Sequence, residues 1–165
     1  NRRGHIYLLR LRSRKGKKIL SVSPKVAGFP DMTFPKLRHS GVWFGMHQLD
    51  WRRPIILVEG EIDAMRLVSL GWYNVIASTT SSVTHAQLDN LVKARSLILG
   101  YDSDTAGRHA HRRIISYFMD RGPPSIKELD WSVAFKKDGS PCKDAGDLPD
   151  VKSLDLVLQN ATFLK

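Results

Sequence analysis

Three short apolar runs, each leading towards a helical pattern, organise the chain from residue 54 onwards. They are Ile55–Val58, Val75–Ala77 and Leu97–Leu99, and continuous apolar runs of this kind are typical of strands buried on both faces. Strands that alternate with helices at this spacing pair in parallel through right-handed crossovers. The pattern therefore predicts an α/β fold in which helices flank a mostly parallel sheet.

Periodicity and end signals predict the helices between these strands. One helix covers residues 62–70 and ends at Gly71. Thr84 and Gln87 have the spacing of a capping box and predict the start of a second helix. A third helix follows the last apolar run and covers residues 106–118. Alternating apolar positions over residues 129–135 predict a further, half-exposed strand.

The first 53 residues have a different character, with strand-like segments and several prolines that argue against helices. Gly16 lies among four basic residues and predicts the tip of a hairpin. We therefore expect a small β-rich lobe over residues 1–53, an α/β domain over 54–150 and a helical segment over 151–165. Trp43, Phe44 and Trp51 lie near the bases and either stack on nucleobases or belong to the core.

Charge is distributed unevenly between these regions. Residues 1–53 contain 13 Lys or Arg against two acids, which gives +11, and the remaining residues give −1. A basic lobe beside an acidic domain suits a protein that acts on a polyanion. The alternative is a solvated basic face without a partner.

Length and composition exclude several other classes of protein. The 165 residues contain no apolar run that approaches the roughly 18 residues of a membrane span, so we expect a cytoplasmic protein without a membrane partner. The single cysteine, Cys142, excludes an internal disulfide and a cysteine-based zinc site. Because residue 1 is Asn, we expect the sequence to be a domain of a longer protein.

Acidic residues follow two of the predicted strands. Glu59 comes directly after the first strand, and Asp102 and Asp104 come shortly after the third. The carboxyl ends of neighbouring parallel strands converge on one crevice, where ligands bind. A carboxylate cluster there suits Mg²⁺, which shares its coordination with water and substrate phosphates, and this predicts phosphoryl chemistry on a nucleotide. Two structural alternatives stay open: Asp104 caps the third helix, and Asp63 is a first-turn helix acid.

These motifs resemble a known family. Glu59-Gly60 after one strand and Asp102-x-Asp104 with Gly107 after another are similar to the Toprim domain of bacterial and phage primases, topoisomerases and some nucleases. The run from Asp102 to Arg108 looks like the primase form. Segments of the basic lobe resemble the N-terminal subdomain of bacterial-type primases, and residues 143–148 resemble the acidic segment that closes their catalytic core. The resemblance implies a Toprim-type sheet.

The resemblance also implies a set of site residues. Two Mg²⁺ or Mn²⁺ ions would be held by Glu59, Asp102, Asp104 and Asp144, with Glu59 as either ligand or general base. The resemblance adds Asp63, Asp147, Gly60 and Gly107 to the site. Nucleotide or template phosphates would be bound by Lys36, Arg12 and Arg38.

The function implied is that of a primase catalytic core, which makes short RNA primers on single-stranded DNA from ribonucleoside triphosphates. A zinc-binding domain and a replicative helicase are then expected as partners outside this chain. Two alternatives remain: a metal-dependent Toprim nuclease, and a DNA-binding module of a replication or mobile-element protein without catalysis.

Overall fold

The computed structural model describes residues 9–12, 19–22, 41–79, 82–123 and 125–164. The chain divides into two compact units, Asn1–His39 and Ser40–Lys165. In the first unit, β1 (Leu9–Arg12) and β2 (Ile19–Val22) pair in antiparallel register. This pairing agrees with the predicted β-rich lobe, and the predicted hairpin tip at Gly16 lies outside the described residues.

The described residues of the second unit form a five-stranded sheet and four α-helices. Its strands and helices are, in chain order, β3 (Ile55–Val58), α1 (Glu61–Ser69), β4 (Val75–Ala77), α2 (His85–Asp89), β5 (Leu97–Leu99), α3 (Thr105–Phe118), β6 (Ile126–Glu128), α4 (Val151–Gln159) and β7 (Thr162–Phe163). The strand order is β4-β3-β5-β6-β7, and every pairing is parallel except that of β6 with β7. The predicted α/β class and mostly parallel sheet are confirmed.

Each face of the sheet carries its own apolar layer because successive strand residues point to opposite sides. One face contributes Ile55, Leu57, Leu97 and Leu99, and these side chains pack in a cluster that contains residues of α2 and α3. The other face packs in a second cluster that contains residues of α1, α4 and the fully buried Trp131. Helices therefore cover both faces, which explains why the central strands are apolar at every position.

Side-chain caps define where the helices begin. Thr84 and Gln87 form the predicted capping box, with the Gln87 amide donating to the Thr84 hydroxyl over 3.2 Å and the Thr84 amide to the Gln87 side chain over 3.0 Å. Asp150 accepts a hydrogen bond from the Ser153 amide over 2.8 Å at the start of α4.

None of the helices in the described ranges is long and apolar enough to cross a membrane.

The strand predicted over residues 129–135 is wrong. The strand of this region is β6, which ends at Glu128, and residues Trp131–Val133 form a short 3₁₀ helix. The Asp130 carboxylate accepts hydrogen bonds from the amide and hydroxyl of Ser132, and this local turn replaces a sheet ladder. The segment 151–165 is helical only as far as Gln159, because Thr162–Phe163 then form the antiparallel edge strand β7.

The boundary between the units also differs from the predicted position after residue 53. Residues 40–53 belong to the second unit because Trp43 is 3% exposed in its core and donates from Nε1 to the Gln87 carbonyl over 2.9 Å. Phe44 forms a backbone bridge to Ala77. Trp43 is therefore a core residue. Trp51 is partly buried, and the Nζ atom of Lys93 lies 4.3 Å from the centre of its ring.

Arg66 of α1 links this helix to the chain segment that precedes α4. Its guanidinium donates to the Leu148 carbonyl over 3.0 and 2.6 Å and to the Pro149 carbonyl over 2.8 Å. Charge-assisted hydrogen bonds to carbonyls stabilise a fold more than neutral ones do. We expect Arg66→Ala to lower the free energy of unfolding by about 2 kcal/mol, measured by chemical denaturation. Arg95→Ala, an exposed control, is expected to change it by less than about 0.5 kcal/mol; equal losses would contradict the linking role.

Candidate metal and active site

The acidic turns lie at the carboxyl ends of the adjacent strands β3 and β5, from which the chain continues in opposite directions across the sheet. β3 and β5 are parallel neighbours, with Leu57 aligned to Leu99. The connection from β3 through α1 leads to β4 on one side, and that from β5 through α3 leads to β6 on the other. Such a reversal of strand order opens a crevice at the carboxyl ends of the two strands. Glu59 and the segment from Asp102 to Asp104 follow these two strands, as the sequence predicted.

Glu59 is held by its backbone and surrounded by other acids. Its carbonyl accepts a hydrogen bond from the Thr79 amide over 2.9 Å, which fixes the turn after β3 against the segment after β4. Partial burial raises the pKa of the Glu59 carboxyl, and the charges of Asp102 and Asp104 raise it further. The charges of Asp102 and Asp104 thus act on Glu59 across the β3–β5 crevice.

The charges of four other acids act on Asp102. Burial raises the pKa of Asp102 to about 6, and the charges of Asp63, Asp144, Asp104 and Asp147 contribute in that order. Asp102 is therefore coupled electrostatically both to Asp104 in its own turn and to Asp144 and Asp147 in the later acidic segment.

Asp104 caps α3, so the structural alternative for this residue is observed. Its Oδ1 accepts a hydrogen bond from the Gly107 amide over 2.8 Å, and its side chain is otherwise exposed. A Cβ on Gly107 would lie 2.0 Å from the carbonyl oxygen of Asp102. Gly107 therefore permits the close approach of the helix to the acidic turn, which is a structural reason for the Asp-x-Asp and glycine spacing.

The third acidic segment packs beside this turn. Asp144 caps the 3₁₀ helix Ala145–Asp147 and accepts from the Asp147 amide over 2.9 Å. Burial raises the pKa of Asp144, and Asp147 raises it further. The Ser103 amide donates to the Lys143 carbonyl over 3.2 Å, which joins the two acidic segments directly.

Asp63 occupies the position of its structural alternative, and its functional role stays a prediction. It lies in the first turn of α1, and it also accepts a hydrogen bond from the Gly146 amide over 3.2 Å. Burial raises the pKa of Asp63 to about 6, with Asp144 as the next cause. A Cβ on Gly60 would lie 2.7 Å from the Asp63 carboxylate, so a residue without a side chain suits the start of this helix.

Two residues that support the acidic turns were missed by the sequence analysis. The indole Nε1 of the buried Trp131 donates to the Tyr101 carbonyl over 3.1 Å, next to Asp102. Arg108 donates to the Ser103 carbonyl over 2.7 Å and to the Thr105 hydroxyl over 3.1 Å. Neither role has a local sequence signal. In addition, Lys136 lies 3.8 Å from Asp147 and partly neutralises the third acidic segment.

The predicted phosphate-binding residues fall largely outside the structure that is described. Lys36 and Arg38 lie outside the described residues, and Arg12 is described as part of β1 without its side chain. Their roles therefore stay predictions.

The donor set at this edge fits a divalent cation. Within the described ranges, no group of three or more His, Cys, Asp or Glu side chains is arranged to hold a metal ion by itself. The carboxylates nevertheless raise one another's pKa, and a cation among them relieves that repulsion. Mg²⁺ uses one or two carboxylates and completes its shell with waters and substrate phosphates, so an open acidic array is a suitable setting for it.

Fold and acidic residues together define a class: an α/β protein with helices on both sheet faces and acidic turns at the strand reversal. Within this class, the Toprim-like family model matches residues 56–140, just over half of the chain. The chain belongs to the Toprim-like family. The predicted Toprim domain is confirmed.

Relatives and solved structures indicate which members of the family it resembles. A DNA primase of Aquifex aeolicus is 32% identical over 61% of this chain and 21% of its own length. The chain spans about a fifth of the length of the curated relatives it matches. The zinc-binding and RNA polymerase domains of an Aquifex aeolicus primase share its fold, with a TM-score of 0.73, 20% identity and coverage of 99% of this chain and 39% of theirs. A DnaG primase catalytic domain bound to single-stranded DNA gives a TM-score of 0.73, 19% identity, and coverage of 99% and 50%.

Proposed function

We propose that this chain is part of the catalytic core of a DNA-directed primase, which makes short RNA primers on single-stranded DNA from ribonucleoside triphosphates. The observation that carries the proposal is the set of acidic turns at the strand reversal, where the charges of Asp102 and Asp104 act on Glu59. The similarity to DNA primases supports the choice of reaction within the Toprim-like family. The +11 charge of residues 1–53 supports a polyanionic template.

In this proposal the acidic residues have different roles. Asp102, Asp104 and Asp144 hold two Mg²⁺ or Mn²⁺ ions, and Glu59 is a further ligand or the base that accepts the proton of the primer 3′-hydroxyl. Bound ions of this kind activate the hydroxyl and neutralise the leaving pyrophosphate. Gly107 and Trp131 hold the backbone of the acidic turn in position. Lys36, Arg12 and Arg38 bind phosphates.

A single assay separates this function from its alternatives. Labelled single-stranded DNA is incubated with the protein and Mg²⁺ or Mn²⁺, with and without ribonucleoside triphosphates. Template-dependent dinucleotides and short RNAs that require both metal and nucleotides are the expected result. Cleavage of the DNA without nucleotides would indicate a nuclease instead, and DNA binding without either activity would indicate a non-catalytic module.

Metal binding provides an independent check. Calorimetric titration with Mn²⁺ is expected to show binding that is lost in the Asp102→Asn variant. Binding that is unchanged in this variant would place the ions elsewhere. The expected helicase and zinc-binding domain belong to the same proposal, as does a cytoplasmic location.

A further inference from the structure

The outer face of α3 carries three arginines and a histidine, of which only Arg108 also contacts the acidic turn. Four residues form this α3 basic face: Arg108, His109, Arg112 and Arg113. Their spacing of four residues along a helix places them on one side over two turns, and all four are exposed. We propose that the α3 basic face binds the phosphate backbone of single-stranded DNA beside the acidic turns. This inference rests on the proposed function, whose template it places.

The arginines of this face have no acidic partner within the helix. The 14 residues of α3 contain no Asp or Glu. In the part of the chain that the structure describes, no ion pair joins Arg108, Arg112 or Arg113 to a carboxylate, whereas Arg53 has Asp50 at 3.5 Å. The Nη2 atom of Arg112 instead lies 3.3 Å from Nδ1 of His109. Exposed arginines without acidic partners form a local positive potential that attracts a polyanion.

The α3 basic face begins next to the acidic turn that follows β5. α3 begins directly after Asp104, and Arg108 is bonded to the backbone of the acidic turn at Ser103. The 14 residues of the helix extend about 21 Å from that point at 1.5 Å per residue. A strand with one end at the acidic edge therefore meets successive guanidinium groups along α3.

The chemistry of the face selects phosphates over bases. Arginine presents planar pairs of donors that match phosphate oxygens. The other exposed residues of the helix, Thr105, Ala106 and Ser116, are small and carry no base-recognising side chain. We therefore expect binding that depends strongly on salt and weakly on base sequence.

Binding of a fluorescent oligodeoxynucleotide, measured by anisotropy at several salt concentrations, tests the inference. Arg112→Gln/Arg113→Gln removes two charges and leaves good helix formers in place. Loss of two phosphate contacts is expected to reduce the slope of log K against log salt by about 1.4, and to weaken binding on the order of tenfold near 50 mM salt. In primer synthesis, the same variant is expected to raise the KM for template.

The chain offers a matched control in the adjacent pair Arg52 and Arg53. These exposed arginines precede β3, at the end of the strand opposite to Glu59. Although both count towards the +11 of residues 1–53, Arg52→Gln/Arg53→Gln is expected to change affinity by less than about twofold, because the pair lies at the end of β3 away from the acidic turns and Arg53 already has Asp50 at 3.5 Å. Equal slopes for both double variants, or an unchanged slope for the α3 variant, would overturn the inference. Absence of primer synthesis by the unaltered protein would instead refute the proposed function, and the anisotropy result would still decide whether α3 binds DNA.

Discussion

Asp102→Asn is expected to reduce the rate of primer synthesis by about 10³-fold at saturating template and nucleotides. The substitution keeps the size of the side chain and removes the charge on which four other carboxylates act. If Asp102 holds a metal ion that stabilises the transition state, loss of its charge costs about 4 kcal/mol of that stabilisation, which corresponds to the stated factor. Initial rates of dinucleotide formation measure the effect.

Protein stability distinguishes this chemical effect from misfolding. The pKa of Asp102 is raised from its ordinary value of 3.8 to about 6, so the stability that the group contributes is present below about pH 4 and is lost as the pH rises through 6. Without metal at pH 7.5, Asp102→Asn is therefore expected to be at least as stable as the unaltered protein. Asp155→Asn, at an exposed position of α4, is the control for loss of one acid. A rate above a tenth of normal in Asp102→Asn, or an equal loss in Asp155→Asn, would contradict the assignment.

The sequence predicts the central sheet well because its strands have strong local signals. The strands β3, β4 and β5 are continuous apolar runs, and the capping box at Thr84 marks α2. The outermost strand of the sheet, β7, has no such local signal. β7 has two residues, too few for a periodic pattern, and its pairing with β6 depends on a tertiary contact. The alternation at residues 129–135 suggests a strand, but Asp130 forms a local turn and Trp131 is buried against the acidic turn.

The acidic residues of the site are also predictable, whereas the residues that support them are not. Glu59, Asp102 and Asp104 follow recognisable strands, and parallel pairing brings them to one edge. Trp131 and Arg108 support the same turn through bonds to backbone carbonyls, which any residue provides. Such bonds depend on how the chain folds in space and leave no residue pattern at the acceptor.

Gly107→Ala is expected to destabilise the protein by about 2–3 kcal/mol and to impair primer synthesis together with Mn²⁺ binding. In an unconstrained helix, this change would stabilise by up to about 1 kcal/mol, because Ala is the better helix former. Here the new Cβ would lie 2.0 Å from the oxygen, and 2.9 Å from the carbonyl carbon, of Asp102. Backbone atoms cannot rotate away, so the start of α3 and the acidic turn must separate. The opposite sign from helix propensity makes the result diagnostic.

Chemical denaturation and calorimetric Mn²⁺ titration measure the two consequences of Gly107→Ala in parallel. Ala106→Gly is the control at the preceding, exposed position of the same turn, and it is expected to cost less than about 1 kcal/mol without loss of Mn²⁺ binding. If Gly107→Ala were as stable as the unaltered protein and bound Mn²⁺ equally well, α3 would not approach the turn so closely. The start of α3 could then move relative to the acidic turn. In that case the hydrogen bond from the Gly107 amide would not hold the Asp104 carboxylate in a fixed position.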